Sequence, residues 1–159
     1  EERTTIFVRG YSTGKSTAPL IPAILSYDKI NLNITYKCVG WLIGIALRTR
    51  TSFSIDLAPF MWKLLIDPTI QLTVNDLIPL DHNGAIEYIE SNSDKDIIQN
   101  IFCENVPKDT RKRGLDVRLN RSKKVMLNIR SGLLDIIPGH SLAMFTWKEF
   151  KSIVAGRKD

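Results

Sequence analysis

The feature that most constrains how this chain can fold is a nearly continuous run of apolar residues between Ile34 and Arg48. A helix that is apolar on almost every side belongs in the middle of a domain. Gly40 and Gly44 stand four residues apart in this run, so one helix face is flat and another backbone can approach it closely. The most apolar part, 39–47, is shorter than the about 20 residues that cross a bilayer. We therefore predict a buried central helix in a globular domain.

Helical spacing, capping residues and proline or glycine stops predict four more helices. Asp56 is expected to cap the first of them, which carries Pro59 in its first turn. Thr146 and Glu149 form a capping box at the start of the last, and Gly156 follows its end. The predicted spans are 56–66, a short helix around 73–77, 115–137 and 146–154.

The β-structure of the chain is predicted to be minor. Residues 4–9 are β-prone and predict a short strand, and residues 97–106 fit either a strand or a short helix. Residues 10–32 are rich in Gly, Ser, Thr and Pro and predict a long irregular connection. The fold class is therefore α+β and predominantly α-helical, and the 43% of apolar residues is ordinary for a globular chain.

The net charge of +5 comes mostly from one basic segment, residues 108–124, which holds eight Lys and Arg against Asp109 and Asp116. Such a run can bind nucleic acid or an anionic membrane. No aromatic residue that could stack on a base occurs between Phe102 and Phe145. We favour a solvated loop and helix face, with a docking surface for an acidic protein as the alternative and nucleic acid as the least favoured.

The residues alone show no self-contained active site, metal site or cofactor site. The two histidines and two cysteines lack the spacing of metal ligands, and we interpret both thiols as packed side chains. Residues 10–17 are similar to a phosphate-binding loop, but three residues instead of four separate the first Gly from the Gly-Lys-Ser, and Pro19 and Pro22 follow. So few cysteines favour a reducing, cytoplasmic location.

Five segments carry recognisable motifs, and the first of them resembles the pattern F-x-G-x-x-x-G-x-A, which it matches at Gly40, Gly44 and Ala46. In this order along the chain, they resemble the HECT ubiquitin ligases, and most of all the large HERC-type members. The segments are Tyr36–Thr49, Leu57–Leu65, Leu72–Leu77, Arg118–Pro138 and Leu142–Gly156.

The resemblance implies the N-lobe of a HECT domain, which docks an E2 enzyme charged with ubiquitin. In that family, a cysteine on the C-lobe takes ubiquitin as a thioester and passes it to a lysine of the substrate protein. The resemblance stops at Gly156, and nothing in the chain matches the T-C-x-N-like motif of the C-lobe. We therefore expect no catalytic residue here, with E2, ubiquitin and a substrate protein as partners, and neither nucleic acid nor membrane.

The same resemblance implies the organisation of the chain and a set of E2-binding residues. Residues 1–33 would form the N-terminal strand and connection, and residues 34–156 the N-lobe-like domain. Within that domain, 34–80 and 138–156 would form the large subdomain and 81–137 the E2-binding-like subdomain. The E2 groove would use Tyr88, Ile89, Phe102 and Leu115.

Three alternatives remain open at this point. Ordinary core packing is the alternative for each of the four groove residues. Between Phe102 and Arg118 the family has several tens of additional residues, so the β-containing part of the E2-binding subdomain is expected to be reduced or missing. Either this insert is short in the protein or a part of it is absent from the sequence. The alternative function is a non-catalytic helical interaction module that retains the HECT scaffold.

Overall fold

The computed structural model describes residues 6–10, 19–22, 31–72, 76, 79 and 108–156. In the two long helices, side chains are described only from Asn33 onward in the first and from Leu119 onward in the second. These residues form mostly helices and one two-stranded sheet, which agrees with the predicted α+β class. The elements are β1 (Phe7–Arg9), β2 (Leu20–Pro22), α1 (Asn31–Thr49), α2 (Pro59–Ile66), α3 (Lys108–Ile136), α4 (Gly139–Leu142) and α5 (Trp147–Ala155).

The sheet is a short antiparallel pair in which Val8 of β1 lies opposite Ile21 of β2. The strand predicted within residues 4–9 is confirmed for Phe7–Arg9. The expectation of an irregular connection over residues 10–32 is wrong where β2 forms and at 31–32, where α1 has already begun. Pro22 stands at the end of the ladder, a position where a missing N–H group is tolerated.

Helices α1 and α3 are in backbone contact through glycines. A Cβ atom built on Gly40 would overlap the carbonyl oxygen of Ile129, and one built on Gly132 would overlap the carbonyl oxygen of Lys37. Helix α3 therefore packs against the flat face predicted for α1, and α3 contributes a glycine of its own to the same contact. Gly44 is approached less closely, by the side chain of Ile136.

Two polar contacts show that α1 and α3 run in the same direction. The side-chain amide of Asn128 donates to Asn33 at 2.9 Å, and the indole of Trp41 donates to Asp135 at 2.8 Å. From the first contact to the second, the residue number increases in both helices, so the two helices are parallel. Asn128 lies near the start of α1, and the earlier part of α3 therefore extends beyond that end of α1.

One hydrophobic core joins the described helices and β2. Trp62 of α2 is wholly buried, and its ring meets the ring of Phe150 from α5 edge-to-face with 5.9 Å between the ring centroids. The indole N–H of Trp62 donates to the carbonyl oxygen of Leu57 at 3.1 Å, so the polar atom of this side chain is satisfied inside the core. Burial of each such large side chain stabilises the fold by about 1.5–3 kcal/mol.

The prediction that Asp56 caps α2 is wrong. The helix begins at Pro59, and Ala58 occupies the N-cap without a side-chain hydrogen bond. The residue before a proline is disfavoured in the helical region, so Ala58 is extended. The backbone that precedes α2 instead pairs with Leu20. The N–H of Leu20 donates to the carbonyl of Asp56 at 2.7 Å, and the carbonyl of Leu20 accepts from the N–H of Ala58 at 2.9 Å.

Helix α3 begins at Lys108, seven residues before the predicted start at Leu115. The additional residues are mostly Lys, Arg, Asp and Thr, and Lys and Arg are good helix formers. Gly114 lies inside the helix, where a glycine costs about 1 kcal/mol without necessarily ending it. The predicted stop is confirmed, since α3 ends at Ile136. The chain then turns at Pro138 into the one-turn helix α4, which was not predicted.

The expectation that α1 is buried on all sides is wrong for one of them. Ile43 is wholly buried, whereas Ile34, Trp41, Leu42 and Ile45 are exposed. The core covers one side of α1 and α3 covers a second. No element among the described residues covers the third side, and its apolar residues therefore face solvent.

We expect Gly40→Ala and Gly132→Ala each to lower the free energy of unfolding by about 3 kcal/mol or more, because each new methyl group would meet backbone that cannot move aside. The matched control is Gly139→Ala, whose Cβ would lie 3.5 Å from the side chain of Leu134, an ordinary contact. It should change stability by at most about 0.5 kcal/mol. Urea denaturation measures all three, and equal stability of Gly40→Ala and the control would contradict the packing described here.

Arg50→Gly is expected to stabilise the chain by about 0.5–1 kcal/mol. Arg50 has a φ of 56°, a left-handed conformation that suits glycine. It follows α1 in a turn where the N–H of Thr51 donates to Ala46 at 3.0 Å. The control is Arg48→Gly, inside the last turn of α1, which should cost about 1 kcal/mol. Thermal denaturation should therefore move the two variants in opposite directions, and destabilisation by both would contradict this explanation.

Candidate functional site

The four residues predicted to bind E2 lie where the structure gives no side-chain geometry. Tyr88, Ile89 and Phe102 lie outside the described residues. Leu115 lies in the N-terminal half of α3, for which only the backbone is described. The E2 groove therefore stays a prediction. The structure does describe most residues of the five motifs.

The first and fourth motifs meet at a cluster of one tryptophan and two charged side chains. The indole Nε1 of Trp41 donates to Oδ2 of Asp135 at 2.8 Å, and Nζ of Lys37 lies 3.0 Å from the same oxygen. Nζ of Lys37 also lies 5.7 Å from the centroid of the Trp41 ring. The hydrogen bond from Trp41, followed by that from Lys37, lowers the pKa of Asp135. A charged Asp135 therefore holds the indole in one orientation at the surface.

The third motif supplies a buried carboxylate. Asp76 is only 7% exposed, and its Oδ1 lies 2.5 Å from Nζ of Lys63 in α2. The same Nζ lies 5.7 Å from the centroid of the Trp147 ring at the start of α5. A buried carboxylate needs such a partner, since removal of one member leaves an uncompensated charge. Of the short helix predicted around residues 73–77, only Asp76 is among the described residues.

The fifth motif opens with the capping box that its sequence predicts. The hydroxyl of Thr146 accepts from the backbone N–H of Glu149 at 3.3 Å, and the carboxylate of Glu149 accepts from the backbone N–H of Thr146 at 2.9 Å. The backbone hydrogen bond from Thr146, followed by that from its hydroxyl, lowers the pKa of Glu149. Gly156 follows the end of α5, as predicted, and has a φ of 82°, a conformation that suits glycine.

The described residues hold no group of three His, Cys, Asp or Glu that could bind a metal ion. Cys38 is a free, half-buried thiol in α1, so its interpretation as a fully packed side chain is only partly right. His140 is exposed in α4, and Cys103 and His82 lie outside the described ranges. Over the same residues, no helix is both long and apolar enough to cross a membrane.

The basic segment 108–124 is helical along its whole length, so the expected loop within it is wrong. Where side chains of this segment are described, Arg121 and Lys124 are exposed. This agrees with the interpretation of a solvated helix face for that part.

Sequence reasoning missed both the Trp41–Asp135 contact and the Lys63–Asp76 pair. Trp41 and Asp135 are 94 residues apart, so no local periodicity connects them. The sequence holds only a weak signal for the Trp41–Asp135 contact. Trp41 and Lys37 lie one helical turn apart in an otherwise apolar helix, and their N–H groups need a hydrogen-bond acceptor nearby.

Comparison with known proteins confirms the resemblance that the five motifs predict. The family model of the HECT-domain (ubiquitin-transferase) matches residues 3–159 of this chain. The E3 ubiquitin-protein ligase HERC2 of Homo sapiens and that of Mus musculus are each 26% identical to it over 149 residues. The match covers 78% of this chain and 3% of either relative, so the chain spans a small fraction of the curated relatives.

Thr146→Ala is expected to lower the free energy of unfolding by about 1 kcal/mol, because it leaves an N–H group of α5 without its cap. The control is Ser152→Ala, which removes a hydroxyl from the middle of the same helix and should leave stability unchanged or slightly raised. Chemical denaturation at neutral pH distinguishes the two. Equal effects would contradict a capping role for Thr146.

The variant Glu149→Gln tests whether the carboxylate of the capping box stabilises the fold, because that contribution depends on pH. Because folding lowers the pKa of Glu149, its contribution is fully present above the ordinary pKa near 4 and is lost as the pH falls through the folded value. The wild-type chain should therefore be more stable than Glu149→Gln at pH 7, and this difference should shrink as the pH falls below about 4. A difference that stays constant down to pH values of about 3 would contradict the assignment.

Proposed function

The chain belongs to the HECT-domain (ubiquitin-transferase) family, and on this premise we propose that it forms the N-lobe portion of a HECT-type E3 ubiquitin ligase. In this function, the chain docks an E2 enzyme that carries ubiquitin as a thioester. Ubiquitin then passes to a catalytic cysteine on a C-lobe and from there to a lysine of a substrate protein. The observation that carries the proposal is the family match over residues 3–159.

The chemistry of the proposed reaction assigns binding and orientation to this chain. In the transfer, the thiolate of the C-lobe cysteine attacks the thioester carbonyl carbon, a new carbon–sulfur bond forms, and the E2 cysteine leaves as its thiolate. Cys38 does not serve as this nucleophile, since it lies half-buried in the middle of a packed helix. The reaction as proposed takes place in the cytoplasm and needs no cofactor from this chain.

The described core supports the positioning role. A docking surface needs a rigid support, because freedom lost on binding reduces affinity. Buried side chains from α1, α2, α3 and α5 pack in one cluster, and the Lys63–Asp76 pair ties α2 to the third motif. On this support, Tyr88, Ile89, Phe102 and Leu115 form the proposed E2 groove within residues 81–137. Aromatic and aliphatic residues of this kind serve as anchors in interfaces.

A second function is favoured by the shortness of the segment between Phe102 and Arg118. The family has several tens of additional residues here, whereas this chain has only 103–117, in which seven of the fifteen residues are charged. If that loss removes the groove, the chain is a non-catalytic interaction module on a HECT scaffold. The two functions differ in whether E2 binds.

The test is a binding assay of the chain against a panel of E2 enzymes. We expect at least one E2 to bind, and Phe102→Ala and Tyr88→Ala each to weaken that binding about tenfold or more, as loss of an interface anchor does. The control is Met144→Ala, because Met144 is 82% exposed between α4 and α5 and has no place in the groove. Thermal denaturation confirms that each variant is folded. Failure of every E2 to bind the folded wild-type chain would contradict the first function and support the interaction module.

A further inference from the structure

The exposed side of α1 carries an apolar stripe, which consists of Ile34, Trp41, Leu42 and Ile45. These side chains are 59%, 36%, 49% and 47% exposed. Their spacing places them within about 100° of one another around the helix, so they form a single surface. The stripe contains none of the four residues of the proposed E2 groove.

The tryptophan in the middle of the apolar stripe is already held in place. Its Nε1 atom donates to Asp135, and Lys37 binds the same carboxylate oxygen while lying beside the ring. The only polar atom of the indole is therefore satisfied within the chain, and the exposed ring needs no hydrogen bond from a partner. An anchor that is ordered before binding loses little entropy when a partner arrives.

The charge next to the stripe is positive. Helix α1 contains no acidic residue, and the charge of Lys37 is balanced by Asp135 of α3. Arg48 follows Ile45 by three residues, so it lies at one end of the stripe on nearly the same face. Arg48 and Arg50 are both exposed, and neither has an ion-pair partner among the residues described. A partner that fits this end of the stripe carries a carboxylate.

The size of the stripe indicates one helix as its occupant. From Ile34 to Ile45 it runs about 16 Å, three helical turns, which is the length over which an amphipathic helix presents anchors at i, i+4, i+7 and i+11. Its exposed apolar area is about 400 Å², roughly half of what each partner buries in a standard protein interface. A second copy of the chain would need a larger surface for a stable dimer.

We propose that the apolar stripe of α1 is a docking site for an amphipathic α-helix that carries acidic residues at one end of its apolar face. Trp41 and its aliphatic neighbours bind the apolar face of that helix. Arg48 pairs with its carboxylates. The apolar contacts alone allow the partner helix to lie in either direction along the stripe. The pairing of its acidic end with Arg48 determines which direction it takes.

The experiment measures binding of the full 159-residue chain to two synthetic helical peptides by fluorescence anisotropy. Both peptides have about 18 residues and leucines at i, i+4, i+7 and i+11; one carries glutamates at one end and the other carries lysines there. We expect the glutamate peptide to bind more tightly than the lysine peptide. Arg48→Glu should reverse this preference, since the swap changes attraction into repulsion.

A matched pair of variants tests whether the stripe itself is the site. Ile45 and Ile153 are 47% and 46% exposed, but Ile153 lies on α5 outside the stripe. Ile45→Ser should weaken binding of the glutamate peptide about tenfold, whereas Ile153→Ser should leave it unchanged. Circular dichroism verifies that both variants are folded.

Three results would overturn the proposal. The first is equal affinity of the wild-type chain for the two peptides, and the second is an equal effect of Ile45→Ser and Ile153→Ser. The third is a dimer seen by sedimentation that Ile45→Ser abolishes, because a second copy of the chain would then occupy the stripe.

Discussion

The structure depends on the backbone contact between α1 and α3. Gly40 and Gly132 each lie against a carbonyl oxygen of the other helix, and any larger residue at either position would overlap it. Such a contact requires glycine in both helices at matching heights, which few pairs of segments in a chain can provide. It joins the first and fourth motifs of the HECT resemblance and sets the register in which they meet.

The register of this contact has consequences at both ends of the helix pair. It brings Trp41 to Asp135 and Asn33 to Asn128, so the polar atoms at the edge of an apolar interface find partners. It also assigns the sides of α1. One side faces α3 and a second, with Ile43, faces the core shared with α2 and α5. The third side remains at the surface, and this division is what produces the apolar stripe.

Much of the fold follows from local patterns. The position of α1, the end of α3, the capping box of α5 and the glycine after it were all predicted, because each depends on residues within a few positions of one another. Two of the errors have a common cause. The strand at Leu20–Pro22 forms because β1 lies beside it, and Asp56 does not cap α2 because its backbone pairs with Leu20. Both outcomes depend on a distant segment.

The proposed site was predictable to a smaller extent. The family could be identified from five motifs in order, and the family match over residues 3–159 confirms that identification. The groove residues Tyr88, Ile89 and Phe102 come from the resemblance and remain proposals. No local signal predicted the Lys63–Asp76 pair, because a buried ion pair needs two segments to pack before its charges meet.

Residue spacing, helix caps and the two glycines in the apolar run are sufficient to establish a mostly helical chain, and the five motifs in order carry its resemblance to the HECT family. These signals act within one turn or one motif, where the chain itself holds the residues close together. Which side of α1 is covered was decided only by the tertiary structure. A helix that is apolar on nearly every side can pack on any of them. In this chain, the glycine contact with α3, a helix far along the chain, determines which sides of α1 are covered.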